Sequence, residues 1–183
     1  MGLLGALLGA GRHLVAMQRD LDESIKRVPR ALRARADSRL PQTFAVFRDP
    51  QERFELSYPA EWKFETAAGS VQVFSERLGG MARVDVEPES PTFWEDLRKK
   101  LAQAGGESTL EGARPGHPEH ARGVILVGKK RFGLDLYAYR TPAGIVVLST
   151  FNVEDARRGA ALEKYEDGIM KRIRNHFKVA LGG

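Results

Sequence analysis

The 183-residue chain contains no cysteine. Disulfides, thiolate nucleophiles, Cys-type zinc sites and a lipidated cysteine anchor are thereby excluded, and the composition fits a reducing compartment. Long apolar runs are missing as well: no stretch approaches the roughly 18 residues of a membrane-spanning helix. Catalytic signatures are equally scarce, with no G-x-S-x-G, no P-loop and no His-Glu-x-x-His. Gly9-Ala10-Gly11 lacks both the third glycine and the preceding strand of a dinucleotide loop. The apolar start precedes its first basic residue, Arg12, which inverts the order of a secretory signal. Position 6 is Ala, where a myristoylation start requires Ser or Thr. Neither secretion nor myristoylation is expected.

What is present is the composition of a folded protein, 42% hydrophobic and 29% charged, with room for one domain and an appendage. The net charge of +5 is unevenly spread: residues 1–43 hold eight basic side chains against four acidic, and the other 140 residues hold 21 against 20. The high isoelectric point thus belongs mainly to an N-terminal arm. A near-neutral body is a poor general platform for nucleic acid, so no specific nucleic-acid partner is expected.

The arm, residues 1–43, predicts a helix to Val28 that Pro29 breaks. At 100° per residue, Leu3, Leu7, Leu14, Met17, Leu21, Ile25, Val28 and Leu32 fall within an arc of about 80°. Such a narrow seam suits helix-on-protein packing, whereas interfacial membrane helices carry a broader apolar face. Asp20, Asp22 and Glu23 would be repelled by anionic lipid. These eight residues are the candidate partner-binding stripe. A protein partner or larger assembly is the first expectation. Packing on the chain's own body, a homo-oligomer formed through the arm and a membrane surface are the alternatives.

From Phe44 the pattern changes to period two. Phe54, Leu56 and Tyr58 share one strand face, and Pro59-Ala60-Glu61 turns the chain so that Trp62 and Phe64 begin a return strand. Val71 and Val73, then Val84 and Val86, mark the next strands. Ser90 and Pro91 open a helix over 92–104 that Gly105-Gly106 stops. Residues 123–127, 132–139 and 145–151 form an antiparallel meander. Asn152 is expected to cap a final helix over 153–177, with Leu162, Tyr165, Ile169, Ile173 and Phe177 on its core face. Residues 179–183 form a tail. Strand runs punctuated by single helices predict an α+β sandwich rather than a doubly wound nucleotide-binding fold.

The stretch Phe54-Glu55-Leu56-Ser57-Tyr58-Pro59-Ala60-Glu61-Trp62 resembles the opening hairpin of the PsbP-like superfamily, which includes DcrB-type bacterial proteins and a Ran-binding protein of nuclear transport. The later element order is similar too, and the resemblance covers about residues 44–178. It implies an α-β-α sandwich, an antiparallel sheet between helices. It also implies a mostly non-catalytic role: photosystem accessory subunit, Ran binder, or secretion-system chaperone holding the hydrophobic helices of an effector.

Among the residues able to carry chemistry, Asp135, Tyr137 and Tyr139 alternate onto one strand face and can line a ligand groove. His117-Pro118-Glu119-His120 has metal-ligand residue types, but Pro118 forbids a helical arrangement, so a solvated loop and no metal are expected. Lys129-Lys130-Arg131 reads as a solvated hairpin tip. Trp62 reads as core. No enzymatic activity and no cofactor are expected. The whole reads as a cytoplasmic adaptor or accessory protein, peripheral to a membrane or held inside an assembly in its alternative forms.

Overall fold

The computed structural model describes residues 43–67, 70–75, 80–103, 107–111, 118–127, 130–154 and 160–180. The arm stripe from Leu3 to Leu32 therefore lies outside the described residues, as do His117 and Lys129.

Ten strands and two helices follow one another: β1 (Phe44–Arg48), β2 (Phe54–Pro59), β3 (Lys63–Ala67), β4 (Ser70–Phe74), β5 (Met81–Glu87), α1 (Phe93–Gln103), β6 (Glu107–Glu111), β7 (Glu119–Val127), β8 (Lys130–Thr141), β9 (Gly144–Glu154), α2 (Ala160–His176) and β10 (Lys178–Val179). They build an antiparallel seven-stranded sheet in the order β3-β4-β5-β9-β8-β7-β6 and a three-stranded sheet in the order β1-β2-β10. The fold is α+β. Helix α1 belongs to the connection between β5 and the far edge strand β6, and the meander β6-β7-β8-β9 then steps back until β9 pairs with β5.

Alternation along the central strands separates two apolar layers. On one face Phe93 and Leu97 of α1 cluster with Met81, Leu134, Leu136, Ile145, Val147 and Phe151. On the other, Ile169, Met170 and Ile173 of α2 cluster with Val84, Val146 and Leu148, and with Phe54 and Leu56 of the small sheet. Strand β9 is covered on both sides, so Ile145 to Leu148 read as one continuous apolar run. Truncating a side chain such as Leu148 or Ile173 would cost about 2–5 kcal/mol.

Local chemistry explains the element ends. The Ser90 hydroxyl accepts the Thr92 amide (3.2 Å), the Thr92 hydroxyl reaches Asp96 (2.9 Å), and Glu95 and Asp96 occupy the positive first turn of α1. Gly144, at φ 120°, opens β9 where a Cβ would collide with the Glu87 carbonyl oxygen.

Two expectations are corrected. The final helix begins at Ala160, because β9 continues to Glu154, pairing Val153 with Phe132 and Glu154 with Arg131 on the long strand β8. The return strand after Pro59 does not pair back on β2. The chain changes sheets there: Trp62 enters the core at 5% exposure and β3 pairs with β4. Strand β1 takes the place beside β2, with Pro59 opposite Phe44. The small sheet closes at β10, and the Ala180 amide donates to the Arg53 carbonyl (3.0 Å).

Candidate functional site

Strand β8 passes Leu134, Leu136 and Ala138 to the α1 layer, which sends Asp135, Tyr137 and Tyr139 to the α2 side. The expected sharing of one face by these three residues is observed. Register then supplies their neighbours: Arg122 lies opposite Asp135 and His120 opposite Tyr137 on β7, with Thr150 and Leu148 beside them on β9. Helix α2 brings Arg174 and the turn after it brings Phe177.

The Asp135 carboxylate is the centre of this site. Its Oδ1 accepts from Arg122 Nε (2.8 Å) and from His120 Nε2 (3.1 Å), and Arg174 Nη1 stands 3.8 Å from Oδ2. The His120 ring stacks on Tyr137, centroids 4.4 Å apart and planes within 14°. The Arg174 guanidinium lies 5.7 Å from the Tyr137 ring centre, and Tyr139 packs on Phe177 at 5.5 Å. Burial pushes the hydroxyl pKa of both tyrosines up, so they stay neutral donors at physiological pH. The His120 side chain is 13% exposed and Asp135 22%, whereas Arg122 is 63% exposed and opens the cluster to solvent. One carboxylate thus faces two guanidinium groups and an imidazole beside aromatic rings, and β6 brings Glu111 opposite His120 at the edge of the site. Exposed guanidinium donors such as that of Arg122 are of the kind that bond a carboxylate, a phosphate or a carbonyl.

An imidazole joined to a carboxylate also occurs where a histidine serves as a base. Here the imidazole lies flat against Tyr137, Arg122 shares the carboxylate, and the Thr150 hydroxyl aligned with Asp135 is buried at 1% exposure. No group of three or more potential metal ligands occurs among the described residues.

A second polar cluster lies on the opposite sheet face. Arg83 donates through Nε to both Asp85 oxygens (3.0 and 2.9 Å), and through Nη2 to Asp85 (2.9 Å) and Ser70 Oγ (2.9 Å). Gln72 in turn donates to Glu65 at 2.7 Å. Burial raises the Asp85 pKa more strongly than the guanidinium lowers it. Both side chains of the ion pair are 10% exposed or less. This cluster is closed to ligands.

The sequence pattern places His120 in a loop, whereas the structure sets it within β7 as part of the site. Arg122 and Arg174 carry no local mark that singles them out; only strand register and helix docking bring them to Asp135. Lys130 pairs with Val127 and closes the β7–β8 hairpin, and Arg131 follows it on β8 as an exposed residue.

No protein-family model matches the sequence, and no curated protein matches it. Among the solved structures that are similar, two illustrate the likeness. One is a protein of Bacteroides thetaiotaomicron VPI-5482, with a TM-score of 0.44 and 19% identity over 73% of this chain and 47% of that one. The other is the Saccharomyces cerevisiae Ran-binding protein Mog1p, with a TM-score of 0.52 and 9% identity over 76% of this chain and 96% of that one. At such identity the likeness concerns the fold, and the α+β sandwich described above is the architecture this chain has in common with Mog1p.

Proposed function

We propose that this protein is a non-catalytic adaptor or accessory module whose body binds another protein through the groove of Asp135, Tyr137 and Tyr139, flanked by His120, Arg122 and Arg174. The observation that carries the proposal is the placing of half-buried tyrosines beside the cluster of His120, Arg122 and Arg174 around Asp135, opened to solvent at Arg122. Tyrosine and arginine are enriched among the residues that dominate protein interfaces, and such residues combine apolar area with directional donors. The fold likeness to a Ran-binding protein and the PsbP-like resemblance of Phe54 to Trp62 support the same reading. The stripe Leu3, Leu7, Leu14, Met17, Leu21, Ile25, Val28 and Leu32 provides a second partner contact in this scheme. The absence of cysteine supports a cytoplasmic site of action.

The test is co-purification with the full-length chain as bait. Arg122→Ala combined with Tyr137→Ala should lose the bound protein while thermal unfolding stays cooperative. Deleting residues 1–42 should weaken capture and leave a soluble body. A saturable turnover abolished by His120→Ala would overturn the non-catalytic reading. Flotation of the full chain with anionic liposomes would replace the protein partner by a membrane surface.

A further inference from the structure

Strand β1 is the outer strand of the small sheet, and among the described residues nothing pairs with its far edge. The direction of its peptide groups follows from three local facts. Thr43 accepts the Ala60 amide (3.1 Å) and the Asp49 amide donates to Phe54 (3.0 Å), so positions 43 and 49 form hydrogen-bonded pairs with β2. Phe44 lies opposite Pro59, which has no N–H to give. Antiparallel pairs alternate, so Ala45 and Phe47 bond to β2, while Phe44, Val46 and Arg48 aim their N–H and C=O groups away from the sheet. Val46 is 57% exposed and the Arg48 side chain 79%. The strand is Phe-Ala-Val-Phe-Arg, rich in β-forming residues and ending in a single charge. An edge of that kind is a template for another strand.

We propose that β1 pairs antiparallel with β1 of a second copy about a two-fold axis at Val46, joining the two small sheets into one. The register is self-complementary. Placing Val46 opposite Val46 puts Phe44 opposite Arg48 of the second copy and Ala45 opposite Phe47, so a small side chain meets a large one, while the Phe44 ring keeps the Arg172 guanidinium of its own chain 4.1 Å from its centre. Each of the pairs at 44, 46 and 48 exchanges two hydrogen bonds, because those are the residues whose peptide groups point outward. Along the two strands no like charges stand opposite one another, and each Arg48 arrives with its own Glu55 carboxylate at 3.0 Å, which offsets the Arg172 guanidinium over the facing Phe44. Shifting the register by one residue would match outward groups with inward ones and lose the bonds. Two five-residue edges cover less area than a standard interface of about 1,600 Å², so the dimer forms with concentration rather than permanently. The pairing is independent of the groove around Asp135.

Sedimentation velocity on the full chain over a thousandfold concentration range tests this. The native chain should shift from monomer to dimer. Val46→Lys alone and Val46→Glu alone should each remain monomeric, since the axis opposes like charges, and mixing the two variants should restore a dimer. Amide hydrogen exchange gives a second readout: with rising concentration Phe44, Val46 and Arg48 gain protection, while Ala45 and Phe47 are protected throughout. A chain that stays monomeric overturns the proposal, even if Val46→Lys releases a different protein's strand. Association indifferent to both substitutions overturns it as well.

Discussion

The seven-stranded sheet carries an arginine–carboxylate cluster on each face, and the two differ in how they meet water. On the α1 face Arg83 and Asp85 are buried, and Arg83 is spread over Asp85, Ser70 and Gln72. On the α2 face Asp135 is shared by His120, Arg122 and Arg174, and Arg122 is largely exposed. The side-chain chemistry is the same, but burial decides the use. A desolvated pair is bound to its own fold, because removing either partner strands a charge. A half-solvated cluster can exchange a partner at low cost, because water screens the charge left behind.

That contrast is broken most sharply by Arg83→Ala, which leaves Asp85 buried without its principal donor. A loss of about 3–5 kcal/mol is expected, read from the urea midpoint. Asp135→Asn should cost about 1–2 kcal/mol, since water reaches the donors it leaves behind; a loss equal to that of Arg83→Ala would erase the distinction between the faces. Arg122→Ala should change stability by no more than about 0.5 kcal/mol while abolishing capture of the partner. Equal capture by this variant would move the binding surface elsewhere.

The smallest effect concerns acid pH and compares Asp85 with Asp49 of the small sheet. Hydrogen bonds from Arg53 hold the Asp49 carboxyl below its ordinary value of 3.8, so its contribution is present above that value and lost as pH falls through the lower folded pKa. Burial shifts Asp85 upward from the same 3.8, so its contribution is present below 3.8 and lost as pH rises through the folded pKa. Chemical denaturation across the acid limb should therefore show Asp49→Asn flattening the fall at the lowest pH. Asp85→Asn should remove a decline on the higher side of 3.8. Identical pH profiles for the two variants would contradict the opposite signs.

Half of the candidate site was legible in the chain. Asp135, Tyr137 and Tyr139 share a face because side chains alternate along any strand, a rule that needs only three letters at spacing two. His120 was hidden by its neighbour Pro118, which marks a loop, although the strand begins at the very next residue. Arg122 and Arg174 stand 13 and 39 positions from Asp135, and no local pattern links them. The fold shows the same division. The cap of α1 and the apolar run of β9 were readable, whereas Val153 and Glu154 satisfied a helical pattern and were claimed by the ladder with β8. Tyr58-Pro59 followed by Trp62 looked like a hairpin turn, but β1 already occupied that side of β2.

The sequence by itself determined the faces of the strands and the start of α1, since each follows from backbone geometry within a few residues. Only the tertiary structure decided which strands adjoin, which cations surround Asp135, and that the outward peptide groups of β1 are left at an edge. Those outcomes depend on closing loops of tens of residues, and the energy that selects among closures is collective burial of two apolar layers. No single stretch of the chain contains it.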